Sequence, residues 1–96
     1  MNDIPATNIE FADRFIKLAY DFDRYDFLDN GGDNEEVYEA NKIKIETDLQ
    51  THNIDWIKNW LNDVKAELMS KILTEDPDYL GCYIVECNLL LEYLNK

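Results

Sequence analysis

The chain has 96 residues, of which 46% are hydrophobic and 31% charged, and 21 acidic against 9 basic residues give a formal net charge of −12. This length suits one core and is too short for two independent cores, so we expect a single helical domain over residues 1–96. A body this negative is repelled by phosphate backbones and anionic lipid, which argues against nucleic acid and membrane surfaces as direct partners.

The first predicted helix begins near Asn8. "TNIE" places Thr7 three residues before Glu10, the capping-box pattern in which both side chains accept hydrogen bonds from unpaired amides at a helix start. Apolar residues then recur at spacings of four and three opposite a polar stripe, which is typical of an amphipathic helix. The apolar stripe is Phe11, Phe15, Leu18, Phe22 and Tyr25, and the polar stripe is Glu10, Arg14, Lys17, Asp21 and Arg24. Gly31 and Gly32 are expected to end this helix or its extension.

A second helix is predicted after the two glycines. Asp33 and Glu36 are spaced as a capping box, and early acids favour the helix dipole. Tyr38, Ile45 and Leu49 share a helical face, whereas "KIKIET" alternates with the period of a strand. A lone strand would have no partner for its hydrogen-bond ladder, so we prefer a helix. A two-stranded pairing with "CYIV" is the alternative.

Two further helices follow "THNIDW", where Asn53 is the expected N-cap. The third helix must end before Pro77, because proline disfavours helical geometry at the preceding residue. Asp76 is expected to cap the fourth helix, with Pro77 at its first position. The apolar stripe of the third helix is Ile57, Leu61, Val64, Leu68 and Ile72.

The fourth helix is the most apolar segment, and most of its polar residues fall on one narrow face when placed at 3.6 residues per turn. The rest of its circumference is apolar except for Glu86, so we expect a central helix covered by the other three. Glu86 needs a partner, because burial of an unpaired carboxylate raises its pKa or destabilises the fold; an internal hydrogen bond is preferred and an interface contact is the alternative. The narrow face comprises Asp78, Gly81, Val85, Asn88, Glu92 and Asn95.

These four segments predict an all-α fold, a small antiparallel helical bundle of about four helices. An α+β fold with a minor two-stranded sheet is the alternative. The start "MNDIPATNIEF" lacks the basic and apolar regions of a signal peptide, and no apolar run approaches the length of a membrane span. Cys82 and Cys87 lie five residues apart in an apolar segment, which favours free thiols in a reducing compartment. We therefore expect a cytoplasmic protein.

The sequence matches none of the metal-binding or catalytic motifs considered below. A calcium-binding loop around the two glycines would place Leu28 and Val37 at ligand positions. Cys82 and Cys87 point about 140° apart on a helix, and His52 has no second histidine at ligand spacing, so it is interpreted as a solvated residue near a helix end. Neither a phosphate-binding glycine loop nor a nucleophile elbow is present. We expect no metal, no cofactor and no enzymatic activity.

The acidic belt is the set of eight acidic residues between positions 21 and 39, which stand against Arg24 alone and give this segment a formal charge of −7. Helical members three or four residues apart stand about 5–6 Å from one another, comparable to the spacing of phosphates along a nucleic-acid strand. The belt is thus suited to a protein groove that binds DNA or RNA; ordinary solvated surface is the alternative. Its members are Asp21, Asp23, Asp26, Asp29, Asp33, Glu35, Glu36 and Glu39.

A second candidate surface, the tryptophan edge, lies on the third predicted helix. Trp56 and Trp60 are one turn apart, and Asp63 and Glu67 continue the same side. A half-exposed tryptophan beside carboxylates is typical of binding hot spots, whereas packing at the rim of the core is the alternative.

In size, acidity and lack of enzymatic motifs, the whole chain resembles the small inhibitors that phages and mobile elements use against bacterial nuclease systems, the anti-CRISPR and anti-restriction proteins. The resemblance is one of character, without a motif matched residue by residue. It implies a non-enzymatic protein that binds and inhibits a basic nucleic-acid-binding protein as a nucleic-acid mimic. In that reading the belt engages lysines and arginines, and the tryptophan edge adds apolar contact. The alternative is an immunity protein, or a cytosolic interaction module that forms a homodimer through its last helix, without mimicry.

Overall fold

The computed structural model describes residues 3–22, 35–72, 74 and 77–95, and within these ranges all regular structure is α-helical. The helices are α1 (Asn8–Asp21), α2 (Glu35–Gln50), α3 (Asp55–Lys71) and α4 (Pro77–Leu94). The prediction of an all-α fold with about four helices is confirmed. The strand alternative is wrong, because residues 42–47 lie inside α2 and "CYIV" lies inside α4.

The chain divides into two compact units. One unit, Ala6–Asn53, contains α1 packed on α2, and the other, Met1–Pro5 with Ile54–Lys96, contains α3 packed on α4. Each unit is therefore a helix pair with its own buried stripe. The single domain expected over residues 1–96 stays a prediction.

The start of α1 follows the predicted cap with one change. Thr7 is the N-cap, and its hydroxyl accepts a hydrogen bond from the Glu10 N–H at 3.1 Å. The Glu10 carboxylate accepts from the Ala6 N–H at 2.6 Å, one residue before the amide that closes a standard capping box. α1 ends at Asp21, and the end predicted at residues 31–32 lies outside the described residues.

The buried face of α1 is wider than the predicted stripe. The Phe11 and Phe15 rings stack with their centroids 5.9 Å apart, and Phe22 is half-buried. Small and β-branched residues beside the phenylalanines are also buried, so the helix presents two adjacent stripes to the interior. The buried set is Phe11, Ala12, Phe15, Ile16, Leu18 and Ala19. Tyr25 and Arg24 lie outside the described residues.

α2 buries a polar residue within its apolar stripe. Ile45 and Leu49 are buried as predicted, and Tyr38 is half-buried. Between them Asn41 is only 3% exposed, and its amide nitrogen donates to the Val37 carbonyl at 2.8 Å. This bond to the preceding turn offsets part of the cost of burying the carboxamide. The predicted cap Asp33 lies outside the described residues.

The connection between α2 and α3 is a Schellman motif built on a histidine. The Asn53 N–H donates to the Asp48 carbonyl at 2.9 Å, and the His52 N–H donates to the Leu49 carbonyl at 3.4 Å. His52 has φ 60°, the left-handed geometry this motif requires. The prediction that Asn53 caps α3 is wrong, because its N–H completes the end of α2. Ile54 is the N-cap of α3, without a side-chain cap bond.

In the second unit, the predicted stripe of α3 is buried through Leu68, and Ile72 is half-buried. α4 begins at Pro77 as predicted, while Asp76 lies outside the described residues. Between residues 80 and 94 the buried part of α4 is narrower than predicted, because the fully buried residues form one stripe and the apolar residues beside it keep part of their surface in solvent. That stripe is Leu80, Cys87, Leu90 and Leu94, and the half-buried apolar residues beside it are Tyr83, Ile84, Leu89, Leu91 and Tyr93.

The predicted solvent face of α4 is exposed at Val85, Asn88, Glu92 and Asn95. The described helices do not include one with both the length and the apolar character that a membrane crossing needs.

Candidate acidic interaction surface

Four of the eight residues of the acidic belt lie in the described part of the chain, and all four belong to the α1–α2 pair. Asp21 is the last residue of α1, Glu35 and Glu36 lie in the first turn of α2, and Glu39 follows one turn later. All four side chains are exposed. The other members, Asp23, Asp26, Asp29 and Asp33, lie outside the described residues. The described acids are therefore available to a partner and belong to one unit.

A contact that the sequence pattern does not reveal holds the start of α2 against α1. The Tyr38 hydroxyl donates a hydrogen bond to the Asp13 carboxylate. The Tyr38 ring also lies 6.0 Å from the Tyr20 ring, at an interplanar angle of 36°. Asp13 and Tyr20 belong to α1, so both contacts join the two helices. Glu36 and Glu39 lie two residues before and one residue after Tyr38, so they belong to the part of α2 that this contact joins to α1.

The pKa of Tyr38 is raised in part by the negative charges on this surface. Several effects together raise the pKa of Tyr38 from 10.0 to about 12, of which partial burial is the largest and the hydrogen bond to Asp13 the next. The negative charges of Asp13 and Glu39 act in the same direction, because they disfavour a third negative charge. Tyr38 consequently remains a hydrogen-bond donor over the physiological pH range.

The carboxylates of the belt differ in their interaction with the helix dipole, which is favourable at the start of a helix and unfavourable at its end. Glu35 and Glu36 lie at a helix N-terminus, where the dipole stabilises negative charge. Asp21 lies at the C-terminal end of α1, whose last turn contains no basic residue. A carboxylate there is locally unfavourable by the same dipole. Residues that violate a local rule of helix design are candidates for a functional role.

The tryptophan edge is smaller than predicted. Trp60 is only 5% exposed and belongs to the core of the α3–α4 pair, so its assignment to an exposed surface is wrong. The physical reason is helix geometry: Trp60 lies three residues after Ile57 and four before Val64, so it stands at the edge of the buried stripe of α3. Trp56 is half-buried, and Asp63 and Glu67 are exposed. What remains of the edge is Trp56 with these two carboxylates.

The two cysteines are free thiols, as predicted, and they have different environments. Cys82 is exposed and Cys87 is buried. The pKa of Cys87 is raised from 9.0 to about 12. Burial is the largest cause, the charge of Glu86 acts in the same direction, and Lys65 opposes the shift. A thiol with this pKa stays protonated and is a poor nucleophile. Glu86 itself is half-buried.

Metal-ligating side chains do not converge within the described ranges. No group of three or more histidine, cysteine, aspartate or glutamate side chains in them is arranged to hold a metal ion. His52 is exposed at the end of α2, which agrees with its interpretation as a solvated residue. The glycine-containing segment tested for calcium lies outside these ranges.

Comparison with family models, curated proteins and solved structures finds no match to this chain.

Proposed function

We propose that this chain is a non-enzymatic acidic protein that binds and inhibits a basic nucleic-acid-binding protein. The belt occupies the surface that the partner uses for nucleic acid, in the manner of an anti-CRISPR or anti-restriction inhibitor. The observation that carries the proposal is the exposure of every described belt residue on a helix pair joined by the Tyr38–Asp13 hydrogen bond. Acids on a rigid support lose less entropy on binding than acids on a flexible tail.

The charge of the chain supports the class of partner. A formal charge of −12 attracts cationic proteins and repels nucleic acid and anionic membranes. Electrostatic attraction of this kind speeds encounter and selects for a cationic groove. The free thiols fit a reducing compartment such as the cytoplasm, where a bacterial nuclease would be met.

The first experiment captures the partner from a bacterial lysate at low and high salt, with nuclease treatment. The proposal requires a retained basic nucleic-acid-binding protein, weaker retention at high salt, and competition by added DNA or RNA. Retention that ignores both salt and nucleic acid would contradict mimicry.

The second experiment neutralises charges in the belt and in a matched control. Glu36→Gln with Glu39→Gln removes one first-turn acid and one acid further along α2. Asp55→Asn with Glu92→Gln removes the same number of exposed charges from the α3–α4 pair. We expect the belt variant to lose at least about tenfold in affinity for the captured partner and the control to lose much less. Equal losses would mean that net charge alone governs binding.

The members of the belt between α1 and α2 are tested in the same assay. The triple variant Asp26→Asn, Asp29→Asn and Asp33→Asn should keep the helical fold and bind the captured partner with much lower affinity. Unchanged affinity would make the belt ordinary solvated surface.

A second candidate function is dimerisation through α4. It is favoured by Val85, which is 53% exposed, beside the half-buried apolar residues of the same helix. A dimer of this kind would tolerate salt and lose stability on dilution. Sedimentation over a range of concentrations distinguishes it from the inhibitor. The repulsion between two chains of charge −12 opposes it.

A further inference from the structure

The outward side of α2 carries an apolar residue that the acidic belt does not include. Ile43 is 61% exposed, the highest value among the large hydrophobic residues of the described ranges. Ile45 is two positions later and points about 200° away from Ile43 around the helix. Ile45 is fully buried. α2 therefore uses one isoleucine for its own core and leaves the other in solvent.

Acidic and polar residues surround Ile43 on the helix. Positions three, four and seven residues away lie within about 60° of it. Those positions contain three glutamates and no cation; the neighbouring lysines, Lys42 and Lys44, project about 100° to either side. The residues at those positions are exposed except Glu46, which is half-buried; of the two lysines, Lys44 is exposed and Lys42 is half-buried. We define the outer face of α2 as Glu36, Glu39, Ala40, Ile43, Glu46, Thr47 and Gln50.

We propose that the outer face of α2 docks a cationic segment of a partner protein, whose apolar side chain covers Ile43 while its lysines or arginines pair with the three glutamates. This inference rests on the proposed function and deepens it, because it assigns an apolar anchor and extends the surface along α2. The face is about 21 Å long, the length of a helix of about 14 residues.

Charge complementarity selects the occupant. A second copy of this chain, a nucleic acid or an anionic lipid surface would bring negative charge against Glu36, Glu39 and Glu46. A cationic segment satisfies these carboxylates and, at the same time, removes Ile43 from water. An apolar centre inside a polar rim is the arrangement that concentrates binding energy at protein interfaces.

The test uses two synthetic helical peptides of about 14 residues, matched to the length of the face. One has leucines at spacings of three and four among lysines, so that the leucines form a stripe along the helix, and the other has serine in place of every leucine at the same charge. Affinity is measured by fluorescence anisotropy at low salt. We expect the lysine–leucine peptide to bind at least about tenfold more tightly, because only this peptide buries Ile43.

Two variants test whether the difference in affinity between the peptides depends on Ile43. Ile43→Ala should remove most of the difference between the two peptides. Ile9→Ala is the control, since Ile9 is 58% exposed on α1. Both replacements raise helix propensity at exposed positions, so both proteins should fold, as circular dichroism can verify. Equal binding of the two peptides, or equal effects of the two variants, would overturn the inference.

The outcome is separable from that of the proposed function. Peptide binding that depends on Ile43 supports the docking face even if the lysate partner does not bind nucleic acid. If neither peptide binds the wild-type protein, the docking face is overturned. The belt variants and the captured partner then judge the inhibitor proposal separately.

Discussion

Replacement of His52 by glycine tests the energetics of the C-terminal end of α2. Among the described residues His52 is the one non-glycine residue with positive φ, at 60°. Left-handed geometry costs a residue with a side chain about 1–2 kcal/mol. Glycine avoids this cost but loses about 0.5–1 kcal/mol more conformational entropy on folding. His52→Gly should therefore raise the free energy of unfolding by about 0.5–1 kcal/mol.

Urea denaturation followed by circular dichroism measures this change. The midpoint should rise while the slope stays constant, because the same surface is exposed on unfolding. Thermal unfolding should shift upward by about 2–8 °C for a chain of this size. His52→Ala is the control, since it removes the imidazole and keeps the backbone cost. If glycine gives no gain, or alanine gives as much, the strain assigned to His52 is wrong.

Four further predictions concern titration, packing and charge. Cys87→Ala should remove an alkaline loss of stability that in the wild type begins near pH 9 and continues to about pH 12, because over this range the thiol is ionised in the unfolded chain and still protonated in the fold. Tyr38→Phe should lower the free energy of unfolding by about 1 kcal/mol at neutral pH and flatten the loss between pH 10 and 12, the window set by its raised pKa. Both are measured by urea unfolding as a function of pH. Trp60→Ala should lower the free energy of unfolding by about 3–5 kcal/mol, because it removes a large buried side chain. Trp56→Ala should lower it clearly less, because Trp56 is half-buried. Asp21→Asn should stabilise α1 by about 0.3–1 kcal/mol in thermal unfolding and weaken binding of the basic partner.

Each of these predictions has its own contradicting result. The titration assignments fail if the variants keep the wild-type alkaline profile. The packing assignment fails if the two tryptophan variants are equally stable. For Asp21, a variant that is both more stable and fully active would mark the carboxylate as a structural fault without a role in binding.

Local interactions explain which features could be predicted from the sequence. The cap at Thr7 involves residues three and four positions apart, and Pro77 acts through its own ring and the residue before it. The stripe of α3 recurs at spacings of three and four, so helix geometry places its residues on one apolar face. The acidic composition of the belt can be read from the sequence in the same way.

The pairing of the helices determined the features that could not be predicted, because it brings together residues that are distant along the chain. Tyr38 meets Asp13 across 25 positions, and no spacing rule predicts that contact. Asn41 is buried because it faces inward beside Ile45, whatever its polarity. Trp60 lies inside while Ile43 lies outside, although both are large apolar residues. The order of residues therefore determined where helices form and what charge they carry, whereas packing determined which side chains remain for a partner, since burial depends on the surface opposite.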